Sequence, residues 1–184
     1  MLLLLGACAS GPSTDEATTA APAKNVSPAV MAEYQRAVTL MKNGDNRQAS
    51  DIFADMAKKY PDLAGTFINQ GILHLNKDQY EEAKQVLLQA TTISPNNATA
   101  YNLLGVAQRG LGEFDEAKKS YLEALKYNAS YANAHLNIGI LYDLYLNDLP
   151  SALKHYQAFM DLTGNKDKTV EKWIVDLQRR IKRS

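Results

Sequence analysis

The chain has 184 residues, 46% of them hydrophobic, which is enough to bury one sizeable core. Twenty Lys and Arg balance twenty Asp and Glu, so no net field draws it onto nucleic acid or an anionic surface. The single cysteine, Cys8, excludes an internal disulfide and a thiolate metal cluster.

The first residues, Met1-Leu2-Leu3-Leu4-Leu5-Gly6-Ala7-Cys8, form an apolar run that ends in small residues directly before the cysteine. A spanning helix needs about 20 apolar residues, so this run does not cross a bilayer. Leu5-Gly6-Ala7-Cys8 resembles a bacterial lipobox, in which small residues admit a signal peptidase to the bond preceding a cysteine that carries diacylglycerol. The resemblance implies that residues 1–7 are the remnant of a lipoprotein signal and that Cys8 is the lipidated residue. Several acyl chains on one cysteine suffice for stable anchoring, at roughly 0.8 kcal/mol per buried methylene. No Lys or Arg precedes the leucines and the run is short, which fits a start lying inside a longer signal. Residues 9–28 are almost all Ala, Ser, Thr, Pro and charged groups. Such a composition cannot bury enough apolar surface to offset ordering entropy, so residues 8–28 read as a lipidated cysteine followed by a disordered tether.

From Val30 onward the chain repeats itself every 34 residues. Ala37, Gly71, Gly105 and Gly139 keep that period, as do Ala49, Ala83 and Ala117, with Ala152 one residue late. Pro61 and Pro95 are also 34 apart, and Phe53, Leu87 and Tyr121 form a large apolar track continued by the delayed Tyr156. Four tracks sharing one period resemble the tetratricopeptide repeat (TPR). The second repeat carries Phe67, Gln70, Gly71, Tyr80, Ala83, Leu87, Ala90 and Pro95 at the signature places, and the third carries Tyr101, Leu104, Gly105, Phe114, Ala117, Tyr121 and Ala124. The first is looser, with Glu33 and Met56 at two of them.

The resemblance implies an all-α, right-handed solenoid of four helix-turn-helix repeats over 30–164, divided 30–63, 64–97, 98–131 and 132–164. Two antiparallel helices, A and B, make each repeat. They must approach closely, with Gly71 and Ala83 expected to face each other at the crossing. Gly44-Asp45-Asn46, Asn76-Lys77-Asp78 and Gly112-Glu113 mark turns between A and B helices, whereas Tyr60-Pro61 and Ser94-Pro95 end B helices. The fourth repeat carries one extra residue in Leu146-Asn147-Asp148-Leu149-Pro150, read as a longer turn. Beyond it, Val170, Trp173, Ile174, Leu177 and Ile181 form an apolar stripe with Lys172, Asp176, Arg179, Arg180 and Lys182 opposite. Residues 167–182 therefore predict a helix that caps the last repeat.

The inventory for chemistry is nearly empty. His74, His135 and His155 stand far apart in the sequence without metal-ligand spacing, and read as packing or surface residues. No glycine cluster forms a phosphate loop, and no nucleophile, base and orienting group occur together. The expectation is a non-enzyme without metal, cofactor, small-molecule substrate or nucleic-acid partner.

By resemblance to the family, A helices line a concave groove, and its contact places hold Ile68, Asn69, Ile72 and Asn76 in the second repeat, Asn102, Val106 and Arg109 in the third, and Asn133, Asn137 and Ile140 in the fourth. This reads as an apolar groove with an asparagine ladder, able to hold an extended peptide. The Lys and Asn clamp of chaperone-tail binders has no counterpart, its places being taken by Ile68 and Ile72 or by Tyr34 and Val38. The expected function is a lipid-anchored adaptor that binds a protein or peptide and assists a cell-envelope assembly such as pilus, secretion, outer-membrane or peptidoglycan machinery. Ala9 after Cys8 implies the outer membrane, facing the periplasm, and the alternative is a self-associating structural protein.

Overall fold

The computed structural model describes residues 26–183, and the calls on residues 1–25, including Cys8, lie outside them. Among the described residues there are nine helices and no strand. They are α1 Pro28–Lys42, α2 Asn46–Lys59, α3 Ala64–Leu75, α4 Tyr80–Ile93, α5 Ala98–Gly110, α6 Phe114–Tyr127, α7 Ala132–Leu144, α8 Leu149–Leu162 and α9 Lys168–Ile181. Odd-numbered helices up to α7 are the A helices of four pairs, and α3, α5 and α7 start 34 residues apart. The all-α solenoid expected from the period is what the chain forms.

Local chemistry starts several of these helices. Asn97 Oδ1 accepts from the amide of Ala100 at the start of α5, and Asp148 Oδ1 accepts from Ser151 at the start of α8, where Pro150 supplies a preset φ. Asp167 Oδ1 takes the amides of both Thr169 and Val170 to open α9.

Each turn from A to B contains one residue with positive φ: Gly44 (87°), Asp78 (55°), Gly112 (79°) and Asn147 (51°). The non-glycine members are types that tolerate this region, and the Tyr80 hydroxyl donates to Asp78 Oδ1 at 2.7 Å. The same turns are closed by amides reaching back five residues, Asp45 to Leu40, Gln79 to His74 and Glu113 to Gln108. In the fourth turn the bond runs from Asp148 to Tyr142, six residues back. The extra residue is thus contained inside one hydrogen-bonded loop, and Ala152 and Tyr156 still reach buried positions.

One packing expectation is corrected. A Cβ built on Gly71 would lie 2.7 Å from Leu87 Cδ2, so the nearest opposing group is Leu87 and not Ala83. Gly105 meets Tyr121 at 2.6 Å and Gly139 meets Tyr156 at 2.7 Å. The small residue therefore receives the large apolar track of its own B helix, with Leu87, Tyr121 and Tyr156 all buried.

Candidate functional site

Packing between repeats defines the inner face. Neighbouring A helices touch, α3 with α5 and α5 with α7, whereas B helices of successive repeats make no comparable contact among the described residues. Layers that approach closely on one side and splay on the other curve, which places the A helices on the concave side.

The predicted groove residues separate into two groups. Ile68 and Ile72 are buried, as are Tyr34 and Val38 at the other clamp places. Asn69 is also buried, and its Nδ2 donates to Tyr34 Oη at 2.7 Å and to the carbonyl of Gly65 at 2.9 Å. Asn102 is buried and accepts at Oδ1 from Asn137 Nδ2 at 3.0 Å. These asparagines tie one repeat to the next, so Asn69 and Asn102 do not present a ladder to a ligand. Nothing in the structure explains why Asn69 Oδ1 is buried without a partner.

The second group is accessible. Val106, Arg109, Asn133, Asn137 and Ile140 on α5 and α7 are half-buried, and Asn76 is exposed where α3 ends. Arg109 has no salt bridge or side-chain hydrogen bond among the described residues, while its charge acts on Tyr80 and Tyr156. Tyr156 is held well above the ordinary phenol range, mainly by burial. Asp143, one turn beyond Ile140, is engaged instead by the cap: Arg180 Nη1 donates to its Oδ1 at 2.7 Å, tying α9 to α7. Arg180 therefore leaves the polar face assigned to it from sequence and becomes a docking residue. Val170 and Leu177 of the cap are buried, and Trp173 packs on Tyr156 with ring centroids 5.4 Å apart.

Sequence spacing separated the histidines, but the fold joins two of them. His135 on α7 and His155 on α8 meet Nδ1 to Nδ1 at 2.9 Å, with Tyr142 stacked on His155. Burial, reinforced by the neighbouring His135 and Lys154 charges, lowers the His155 pKa from 6.5 to about 4. No group of three or more His, Cys, Asp and Glu that could hold a metal occurs among the described residues. None of their helices is long and apolar enough to cross a membrane.

Comparison with known proteins agrees with the geometry. The family model described as TPR repeat matches residues 73–112 and 107–144, and one described as tetratricopeptide repeat matches residues 31–63. These are tetratricopeptide repeats. The TPR segment is 33% identical over 90 residues to BBSome complex member BBS4 of Mus musculus, a match covering 48% of this chain and 17% of that protein. It is 30% identical over 103 residues to a probable UDP-N-acetylglucosamine-peptide N-acetylglucosaminyltransferase, SPINDLY, of Hordeum vulgare, covering 52% of this chain and 11% of that one. The chain thus matches only a small part of these relatives. Among solved structures, MamA from Desulfovibrio magneticus RS-1 superposes with a TM-score of 0.64 at 25% identity, over 74% of this chain and 76% of that one. The first TPR of Spaghetti (RPAP3), bound to an HSP90 peptide, superposes with a TM-score of 0.61 at 19% identity, over 64% and 92%, a likeness of fold.

Proposed function

We propose that this chain is a non-catalytic protein-interaction scaffold that holds an extended segment of a partner protein along α5 and α7. The observation that carries this reading is the accessible face of those two helices. Val106 and Ile140 offer apolar contact there, Asn133 and Asn137 offer amides, and Arg109 offers a guanidinium with no ion-pair partner among the described residues. An unpaired guanidinium beside amide and aliphatic groups suits a peptide carrying a carboxylate. The buried places of the second repeat contribute to stacking of the repeats and not to contact with the ligand. Cys8 serves as the lipid anchor, with the domain on the periplasmic side of the outer membrane, where it assists assembly of an envelope complex.

A second reading rests on the cap end. Leu162, Trp173 and Val175 are exposed there, beside a shallow groove lined in part by Met160 and Ile174, and they offer a surface for self-association.

One purification from envelope extracts tests both, using the intact chain, Arg109→Glu with Ile140→Asp, and Cys8→Ser. Partners lost from the groove variant alone, and membrane association lost from Cys8→Ser alone, are the expected results. Identical partner lists for the intact chain and the groove variant would overturn the groove reading. A mass that rises with concentration would favour self-association.

A further inference from the structure

The turns from A to B helices in the second, third and fourth repeats join along one edge of the solenoid. The Tyr80 ring at the start of α4 lies against Gly110 at the end of α5, where a side chain would collide with it. Phe114 at the start of α6 packs on Tyr145, just after α7, with ring centroids 4.6 Å apart. Tyr145 is also close enough to act electrostatically on the Tyr80 hydroxyl. Three large apolar side chains stand in solvent on this edge: Leu111 is 37% exposed, Leu144 55% and Tyr145 45%. The turn itself does not require them. Leu144 and Tyr145 occupy places held by Lys42 and Asn43 in the first repeat and by Asn76 and Lys77 in the second, and those repeats fold the same way. Apolar residues gathered where the fold accepts polar ones mark a contact surface.

The charge around this patch is one-sided. Residues 76–82 and 110–116 each carry three carboxylates and residues 143–148 carry two, against Lys77 alone. Some of these are used internally. Lys84 holds Glu81 at 3.0 Å and Glu113 at 2.8 Å, Lys118 lies 3.7 Å from Asp115, and Arg180 takes Asp143. Glu82 and Glu116, exposed and 34 residues apart, have no salt bridge or side-chain hydrogen bond among the described residues. Helix dipoles do not offset this negative charge, because A helices end and B helices begin on the same edge and their opposite poles cancel. We infer that the edge is a docking surface, separate from the groove, for a cationic protein segment that carries an apolar anchor. Leu111, Leu144 and Tyr145 receive the anchor, and Glu82 and Glu116 attract the Lys or Arg residues that flank it. An anionic bilayer or a nucleic acid is repelled by the same charge. The groove selects a carboxylate and the edge selects a cation, so one chain holds two partners side by side.

The test titrates the full chain with a synthetic peptide of alternating Lys and Leu, read by fluorescence anisotropy and by amide chemical shifts. A Lys-Ser peptide of equal charge and a Glu-Leu peptide are the comparisons. The Lys-Leu peptide should bind, weaken as salt rises and shift amides at residues 111–116 and 144–148, while the other two bind about tenfold or more weakly. Leu111→Ser with Leu144→Ser, and separately Glu82→Lys with Glu116→Lys, should each reduce its affinity by about tenfold. Asp51→Lys with Asp55→Lys, the same charge change on exposed places of α2, should not. Circular dichroism confirms the fold of each variant, and the glutamate pair carries the test if the leucine pair fails to fold. No binding of the Lys-Leu peptide, equal binding of the Lys-Ser peptide, unchanged affinity in both edge variants, or shifts confined to Asn133, Asn137 and Ile140 would overturn the edge. A mass that rises with concentration in the parent and not in the edge variants would give the surface to a second copy and overturn the cationic partner.

Discussion

Replacing Gly105 with alanine sets two effects against each other. Alanine in a helix interior is favoured over glycine by about 1 kcal/mol. The new methyl, however, would lie 2.6 Å from Tyr121 Cε1 and 2.7 Å from Cδ1, and Tyr121 is fully buried. Reaching ordinary van der Waals distance means moving a confined ring by close to an ångström, and overpacking of this kind costs about 1–3 kcal/mol. A rigid ring in a closed core puts the cost at the upper end, so Gly105→Ala should destabilise by roughly 1–2 kcal/mol net. Gly71→Ala should cost less, because Leu87 can change rotamer. Urea unfolding of Gly105→Ala, Tyr121→Ala and the double variant measures the coupling. With the ring removed, the alanine should become stabilising by up to about 1 kcal/mol, a reversal of sign. An alanine that is equally destabilising with and without Tyr121 would refute the assignment of ring and glycine as partners.

The depressed His155 pKa of about 4 implies a stability that depends on pH. The unfolded chain takes up that proton first, near 6.5, so the contribution is complete above this value and is lost as pH falls toward 4. The urea midpoint should therefore be lower at pH 5 than at pH 7.5, and His155→Gln should flatten the difference; an unchanged difference in the variant counts against it. Arg180→Ala leaves the nearly buried Asp143 without its cation, at a cost of about 1–2 kcal/mol tempered by the partial exposure of Arg180. Hydrogen exchange over α9 should accelerate in this variant, and unchanged protection there would show that the ion pair does not hold the cap.

The fold was readable because a repeat states its packing rule several times. Gly71, Gly105 and Gly139 mark the close approach, and Leu87, Tyr121 and Tyr156 mark what fills it. Which of these opposed which was not readable from period alone, since Ala83 keeps the same period as Leu87. The asparagines illustrate a second limit. Position in the family pattern suggested a ligand ladder, while a bond between neighbouring repeats needs two polar residues 35 apart. Tyr34 with Asn69 and Asn102 with Asn137 satisfy that spacing, and the intervening pair, Ile68 and Leu103, is apolar and buried. The signal was in the sequence, but it lies between repeats instead of within one. The histidine pair was hidden for a related reason, because two residues 20 apart meet only once the register of α7 against α8 is known. That register follows from Gly139, whose added Cβ would lie against Tyr156 and 3.5 Å from His155 Cβ.

The seven-residue loop from Tyr142 to Asp148 carries a lesson about where this architecture accepts changes of length. A residue added inside a helix rotates everything beyond it by about 100° and turns the buried stripe away from its neighbour. Added inside the turn, it only enlarges a hydrogen-bonded ring, and the next helix restarts at the phase set by its own cap, Asp148. The turns from A to B therefore act as expansion joints along the solenoid. Short peptides or reporters spliced beside Asn147 should leave the packing of both flanking helices intact.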